Sequence, residues 1–330
     1  MAAERFRPTP RGYERIVQIS VAALSSIIVT GAAVRLTGSG LGCSDWPTCE
    51  DGELVASLSF HPMIEFVNRL ITGLVSIAVV LAVLGSLRRR PRRSDLTRWS
   101  WVLVIGVVAQ ILIGAAVTLS ELRYSVVAVH FLVSMMLVWA AMVLWKRSTD
   151  PDHETEPGKA VAAIRRTWSF ESKLLVTLGA LVLFGGAMVT SAGAHTGAKV
   201  GHDGTEILIE RLPIELRPVV QLHSATVWLL CLMTVWMVLR SARRGVPSRE
   251  AKDLLIAVVA QGALGYWQYF AGVPALLVGF HVAGATLVWI LALRLAFAEA
   301  AVTPRAHPEA DGRKPYPSTP ALAGSKAEAS

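Results

Sequence analysis

A chain of 330 residues with 53% hydrophobic and only 17% charged residues has too little polar surface to meet water as a globule. Its formal net charge of +8 invites a nucleic-acid partner. The basic residues, however, are bunched between apolar runs and are not interleaved with aromatics, which excludes nucleic acid and assigns the charge to membrane topology.

The apolar residues gather into runs of about 20, the length that crosses a hydrocarbon core as a helix. In chain order the expected spans are 16–36, 63–87, 98–119, 125–145, 172–192, 217–240, 252–271 and 274–298. Strands would have to alternate and close into a barrel, and no alternation is present, so the expected fold is all-α and integral to the membrane. The first run follows Arg5, Arg7, Arg11 and Arg15 but is longer than a signal-peptide core, so it reads as a retained helix.

Every second connection is basic. Arg88, Arg89, Arg90, Arg92 and Arg93 follow span 2, Lys146, Arg147, Arg165 and Arg166 lie between spans 4 and 5, and Arg240, Arg243, Arg244, Arg249 and Lys252 lie between spans 6 and 7. The facing loops carry Asp45, Glu50, Asp51 and Glu53. The positive-inside rule then places both termini in the cytoplasm.

A fixed offset relates the two halves. Gln110, Gly114 and His130 fall on Gln261, Gly265 and His281, each displaced by 151, and GAAV at 31–34 falls on GAMV at 186–189, displaced by 155. The second offset carries His223 onto Asn68. The expected organisation is a cytoplasmic N-terminus (1–15), a four-helix bundle (16–148), a linker (149–171), a pseudo-symmetric second bundle (172–298) and a disordered cytoplasmic tail (299–330).

His130, His223 and His281 sit six or seven residues inside the outer ends of spans 4, 6 and 8, roughly 10 Å deep at 1.5 Å per residue. A single intramembrane His is as well explained by a hydrogen bond between helices. Three at one depth, two of them repeat images, favour axial ligation of heme iron, with two inward imidazoles clamping a porphyrin edge-on. Zinc fits less well, because closed zinc sites want four ligands and no cysteine lies near these positions. The second half offers a pair, His223 and His281; the first offers His130 opposite Asn68, a poor iron ligand, with His61 two turns above it as a substitute. Glu65 and Arg69 share that stripe and suit proton handling and propionate pairing, although they are also an i, i+4 pair that could merely stabilise a helix end. Cys43 and Cys49, in GSGLGCSDWPTCEDG, face a compartment that permits a disulfide, structural or redox-active. Cys231 reads as an apolar filler, His153 as a solvated residue, and His195 and His202 as loop residues that could touch propionates or metal.

VRLTGSGLGCSDWPTC, IEFVNRLITG and the histidines of spans 4, 6 and 8 together resemble the heme A synthase family over nearly all of residues 15–298. The resemblance implies eight helices in two similar bundles, in a bacterial cell membrane. It implies oxidation of the C8 methyl group of heme O to a formyl group, giving heme A for cytochrome c oxidase. It also implies a cofactor heme b on His223 and His281, substrate heme at His130 and Asn68 (with His61 and Arg69 beside it), a functional Glu65, and a Cys43–Cys49 pair. Heme O synthase and oxidase assembly factors are the implied partners. This chain departs from the family where many members carry His in place of Asn68, and it lacks the second cysteine pair that some members have between spans 5 and 6. The rival readings are a non-catalytic b-type cytochrome linking quinol to a partner, which would want paired His in both halves, and a transporter, which would want inverted repeats.

Overall fold

The computed structural model describes residues 7–43, 45–50, 52–152, 168–198, 208–246 and 248–302. Arg5, Asp51, His153, Arg165, Arg166, His202 and the tail beyond 302 lie outside the described residues. The described chain is all-helical: α1 Pro10–Leu36, α2 Phe60–Arg88, α3 Ser94–Leu119, α4 Tyr124–Thr149, α5 Phe170–Ala192, α6 Leu216–Arg243, α7 Arg249–Phe270 and α8 Ala275–Val302. Seven are long and apolar enough to cross a membrane. The helix that falls short is α7, which carries Gln261, Gln268 and a charged first turn among its apolar residues.

Most helices outrun the apolar runs that mark them. α1 begins at Pro10 because Thr9 caps it, its hydroxyl accepting from the Gly12 amide at 3.1 Å, with Pro at the first helical position. α4 continues through Lys146 and Arg147, and α6 through Arg240 and Arg243; basic residues in a last turn oppose the helix dipole and let long side chains reach the interface. Two expected boundaries are corrected for the same reason. Residues 299–302 belong to α8 and not to the tail, and Thr149, Phe170 and Glu171 are helical ends and not linker.

Helices α1 to α4 close a circuit in which α1 packs on α2 and α4, and α3 on α2 and α4. Helices α5 to α8 do the same, α5 packing on α6 and α8 and α7 on α6 and α8. The diagonal pairs, α2 with α4 and α6 with α8, do not approach one another. The circuits meet along a seam of α1, α4, α5 and α8, where the Trp289 indole donates to the Met135 carbonyl at 3.0 Å in the buried core. Outward-facing Ile105 and Ile256, 65% and 70% exposed, belong to an apolar surface that water would not tolerate and hydrocarbon would cover.

The repeat seen in the sequence extends to backbone detail. The turns joining α3 to α4 and α7 to α8 place Leu122 and Val273, displaced by 151, each at φ 60°, a left-handed conformation rare for branched residues. In both turns the residue's N–H closes onto the carbonyl five positions back, Leu122 onto Val117 at 2.9 Å and Val273 onto Gln268 at 2.8 Å.

Candidate functional site

His223 on α6 and His281 on α8 stand on diagonally opposed helices of the second circuit. His130 on α4 and Asn68 on α2 occupy the corresponding diagonal helices of the first circuit. All three imidazoles are half-buried, yet each has a fully buried Nδ1 with no hydrogen-bond partner. Three buried, unsatisfied ring nitrogens at one depth are costly as helix glue, whose role is to satisfy such groups.

Each ring lies against glycine on the neighbouring helix. A methyl group built on Gly265 of α7 would stand 3.1 Å from His281 Cε1, and one on Gly185 of α5 would stand 3.1 Å from His223 Nδ1. Gly114 of α3 is looser, at 3.5 Å from His130 Cε1. The helix that offers the glycine also holds the histidine's backbone: Gln110 donates to the His130 carbonyl at 3.0 Å and Gln261 to the His281 carbonyl at 2.7 Å. These two bonds are images at the 151 offset. They fix the helical segments whose side chains enter each gap.

Above the first circuit lies the loop after α1, closed by a Cys43–Cys49 disulfide. Both cysteines are buried, with Ala56 and Phe66 packed on them. Gly42 is required there, because any Cβ would collide with the His61 carbonyl at the start of α2. Glu65, 6% exposed, accepts from the Cys43 amide at 3.0 Å and from Arg69 at 2.7 Å. Arg69 Nη1 donates to the carbonyls of Asp45 at 3.1 Å and Thr48 at 2.8 Å. The stripe of Glu65 and Arg69 therefore grips the disulfide loop.

His61 is exposed at the first turn of α2, its Nδ1 2.9 Å from the Ser39 hydroxyl and two turns before Asn68. Asn68 itself is held: Thr30 of α1 donates to its Oδ1 at 2.8 Å. His195 ties loops together, its Nε2–H donating to the Val273 carbonyl at 2.8 Å while its own carbonyl accepts from Arg35 at 2.8 Å. Cys231 is a free, half-buried cysteine on α6. Sequence reasoning missed Thr30 and the glycines under the rings; Gly114 and Gly265 stand in the repeat as images, and Gly186 in its second segment, but only as markers of register.

An all-helical, multi-pass membrane protein with imidazoles packed against glycine between neighbouring helices is the class this geometry defines. The chain matches the family described as cytochrome oxidase assembly protein over residues 14–61 and 52–293, and it belongs to that family. Among its relatives, the heme A synthase of Listeria monocytogenes serovar 1/2a is 24% identical over 290 residues, covering 83% of this chain and 90% of the relative. Two others match over shorter stretches. The heme A synthase of Lysinibacillus sphaericus is 29% identical over 162 residues, 47% of this chain and 53% of the relative. That of Exiguobacterium sibiricum is 30% identical over 181 residues, 53% of this chain and 58% of the relative.

Proposed function

We propose that this chain is a heme A synthase: an oxidoreductase of the cell membrane that converts the C8 methyl group of heme O to a formyl group. The family and the relatives' names support the activity. The observation that carries the assignment to residues is one imidazole on each of α4, α6 and α8, packed against a glycine of the adjacent helix with its Nδ1 buried and unpartnered.

On this reading the two circuits are pseudo-symmetric four-helix bundles with one porphyrin each. His223 and His281 would hold a cofactor heme b between α6 and α8, and that heme would supply electron transfer. The gap between α2 and α4 takes the substrate heme on His130, with Asn68 on the other face. Both termini lie in the cytoplasm, where Arg88 to Arg93 and Arg240 to Arg244 cluster, and the disulfide loop caps the outer mouth of the substrate site. Glu65 stands at that mouth. It fixes the loop through the Cys43 amide and is the carboxylate placed to pass a proton between solvent and substrate. Arg69 holds Glu65 and the loop together. Heme O synthase upstream, and assembly factors for cytochrome c oxidase downstream, are the partners this chemistry calls for.

The pairing of His with Asn68 in the first bundle favours catalysis over a plain b-type cytochrome, which needs two saturated hemes. The test is co-expression with a heme O synthase, followed by chromatography of the extracted hemes. Heme A in those extracts, lost in His130→Ala, is the expected result. Accumulation of heme O alone would overturn the assignment.

A further inference from the structure

We propose that Thr30 is a positioning residue that leaves the substrate heme with His130 as its one protein ligand, by holding Asn68 and filling the room that a second imidazole would need. The inference rests on the heme reading above and deepens it.

The argument starts from the repeat. At the 155 offset that carries Asn68 onto His223, Gly31 falls on Gly186 and Thr30 falls on Gly185. The residue that faces position 68 from α1 is thus the image of the residue that faces position 223 from α5. In the second bundle that residue has no side chain, and the His223 ring uses the space: a Cβ at 185 would stand 3.1 Å from Nδ1 and 3.4 Å from His223 Cα and Cβ. In the first bundle the same place holds threonine, branched at Cβ and stiff about χ1. An imidazole at 68 in the pose of His223 would meet that branch. The smaller carboxamide does not, and it converts the neighbour into a hydrogen-bond partner at 2.8 Å. Thr30 and Asn68 are therefore one exchange, Gly–His in one bundle for Thr–Asn in the other.

The bond also decides what Asn68 can offer. Its carboxamide oxygen is the atom able to coordinate a metal, and Thr30 Oγ1, 2.8 Å away and also 3.3 Å from the Ile27 carbonyl, ties that oxygen to α1. The amide nitrogen, whose lone pair is delocalised, is a donor and not a ligand. Asn68, a poor iron ligand held by Thr30, leaves the second axial position without a strong protein ligand. His61, the other imidazole of α2, is engaged with Ser39 two turns above. The two bundles then differ in kind: a saturated heme for electrons, and a heme with one free axial position for chemistry.

The test uses full-length protein carrying His223→Ala and His281→Ala, purified in detergent and loaded with hemin, so that only the first site is read. The expected ferric spectrum is high-spin, lost in His130→Ala, and the ferrous form binds carbon monoxide. Asn68→His alone stays high-spin because Thr30 blocks the ring. Thr30→Gly with Asn68→His turns low-spin bis-imidazole and no longer binds carbon monoxide. A low-spin spectrum in the Asn68→His single variant, or a high-spin one in the double variant, overturns the proposal. So does a low-spin iron with Thr30 and Asn68 intact, with His61→Ala reporting whether His61 is the ligand; this measurement needs no change at either residue of the pair. If no heme depends on His130, the functional reading falls and takes the inference with it, whereas a wrong spin state with His130-dependent heme sinks the inference alone.

Discussion

The carboxylate of Glu65 and the backbone amide of Cys43, 22 residues apart in the chain, are joined by a buried hydrogen bond of 3.0 Å. Through it the second turn of α2 grips the disulfide loop, and the other carboxylate oxygen takes the Arg69 guanidinium. A carboxylate can accept both hydrogens; a carboxamide has one oxygen and must present its NH2 to one of the two donors. Glu65→Gln should therefore loosen the loop by about 1–3 kcal/mol, the cost of leaving a buried donor unsatisfied. The expected readout is faster reduction of the Cys43–Cys49 bond by a mild thiol in Glu65→Gln and Glu65→Ala than in the parent. Equal rates in all three would show that the carboxylate does not hold the loop.

Removing the disulfide itself has a different signature. Closing a loop of this size restrains the unfolded chain by about 2 kcal/mol. Arg69 still binds the Asp45 and Thr48 carbonyls when the sulfurs are gone, so the loop in Cys43→Ser, Cys49→Ser should stay docked at lower stability. A lowered Tm together with an unchanged bis-imidazole spectrum from the second bundle is the expected pair of results. Loss of that spectrum would mean that the two bundles fold as one unit through the outer loops.

What could be read from the residues was whatever depends on local composition. Apolar runs located all eight described helices, including α7, although Gln261 and Gln268 dilute it. The depth shared by His130, His223 and His281 follows from counting along helices, so the candidate layer was visible too. The path of the loop was not, because nothing in GSGLGCSDWPTC says that Cys43 N–H will meet a carboxylate 22 residues on. The Asp45 and Thr48 carbonyls that Arg69 holds were hidden for the same reason, since carbonyls leave no mark on a sequence. Thr30 was hidden differently. Its offset to Gly185 is legible, but its meaning needs the ring of His223 lying against that glycine.

The opposite end of the molecule holds a second buried charge. Arg89, 1% exposed, makes a bidentate pair with Asp152 at 2.6 and 2.8 Å and donates to the Pro91 carbonyl. Breaking a buried pair from one side strands the other charge, at a cost of roughly 3 kcal/mol. Asp152→Asn should lower Tm more than Lys146→Ala, whose ion pair with Asp150 is partly exposed and worth under about 1 kcal/mol. Thermal unfolding of the two variants in one detergent decides it, and similar losses would show that Asp152 does not carry Arg89.

The glycines beneath the rings give a prediction that separates the two bundles. At Gly265 an added methyl stands 3.1 Å from His281 Cε1, closer than carbon atoms rest, so Gly265→Ala must push the imidazole or part α7 from α8. At Gly114, its repeat image, the same methyl stands 3.5 Å from His130 Cε1, an ordinary contact. Alanine also raises helix stability by about 1 kcal/mol over glycine, which favours folding at both positions equally. Any difference between the variants therefore belongs to the rings. Gly265→Ala is expected to lower the yield of bis-imidazole heme and shift its spectrum, while Gly114→Ala leaves heme at His130 unchanged. The discriminating measurement is heme stoichiometry by pyridine hemochrome on both purified variants. Equal losses, or none at Gly265, would show that the close approach of glycine to imidazole does not set how the second bundle holds its iron.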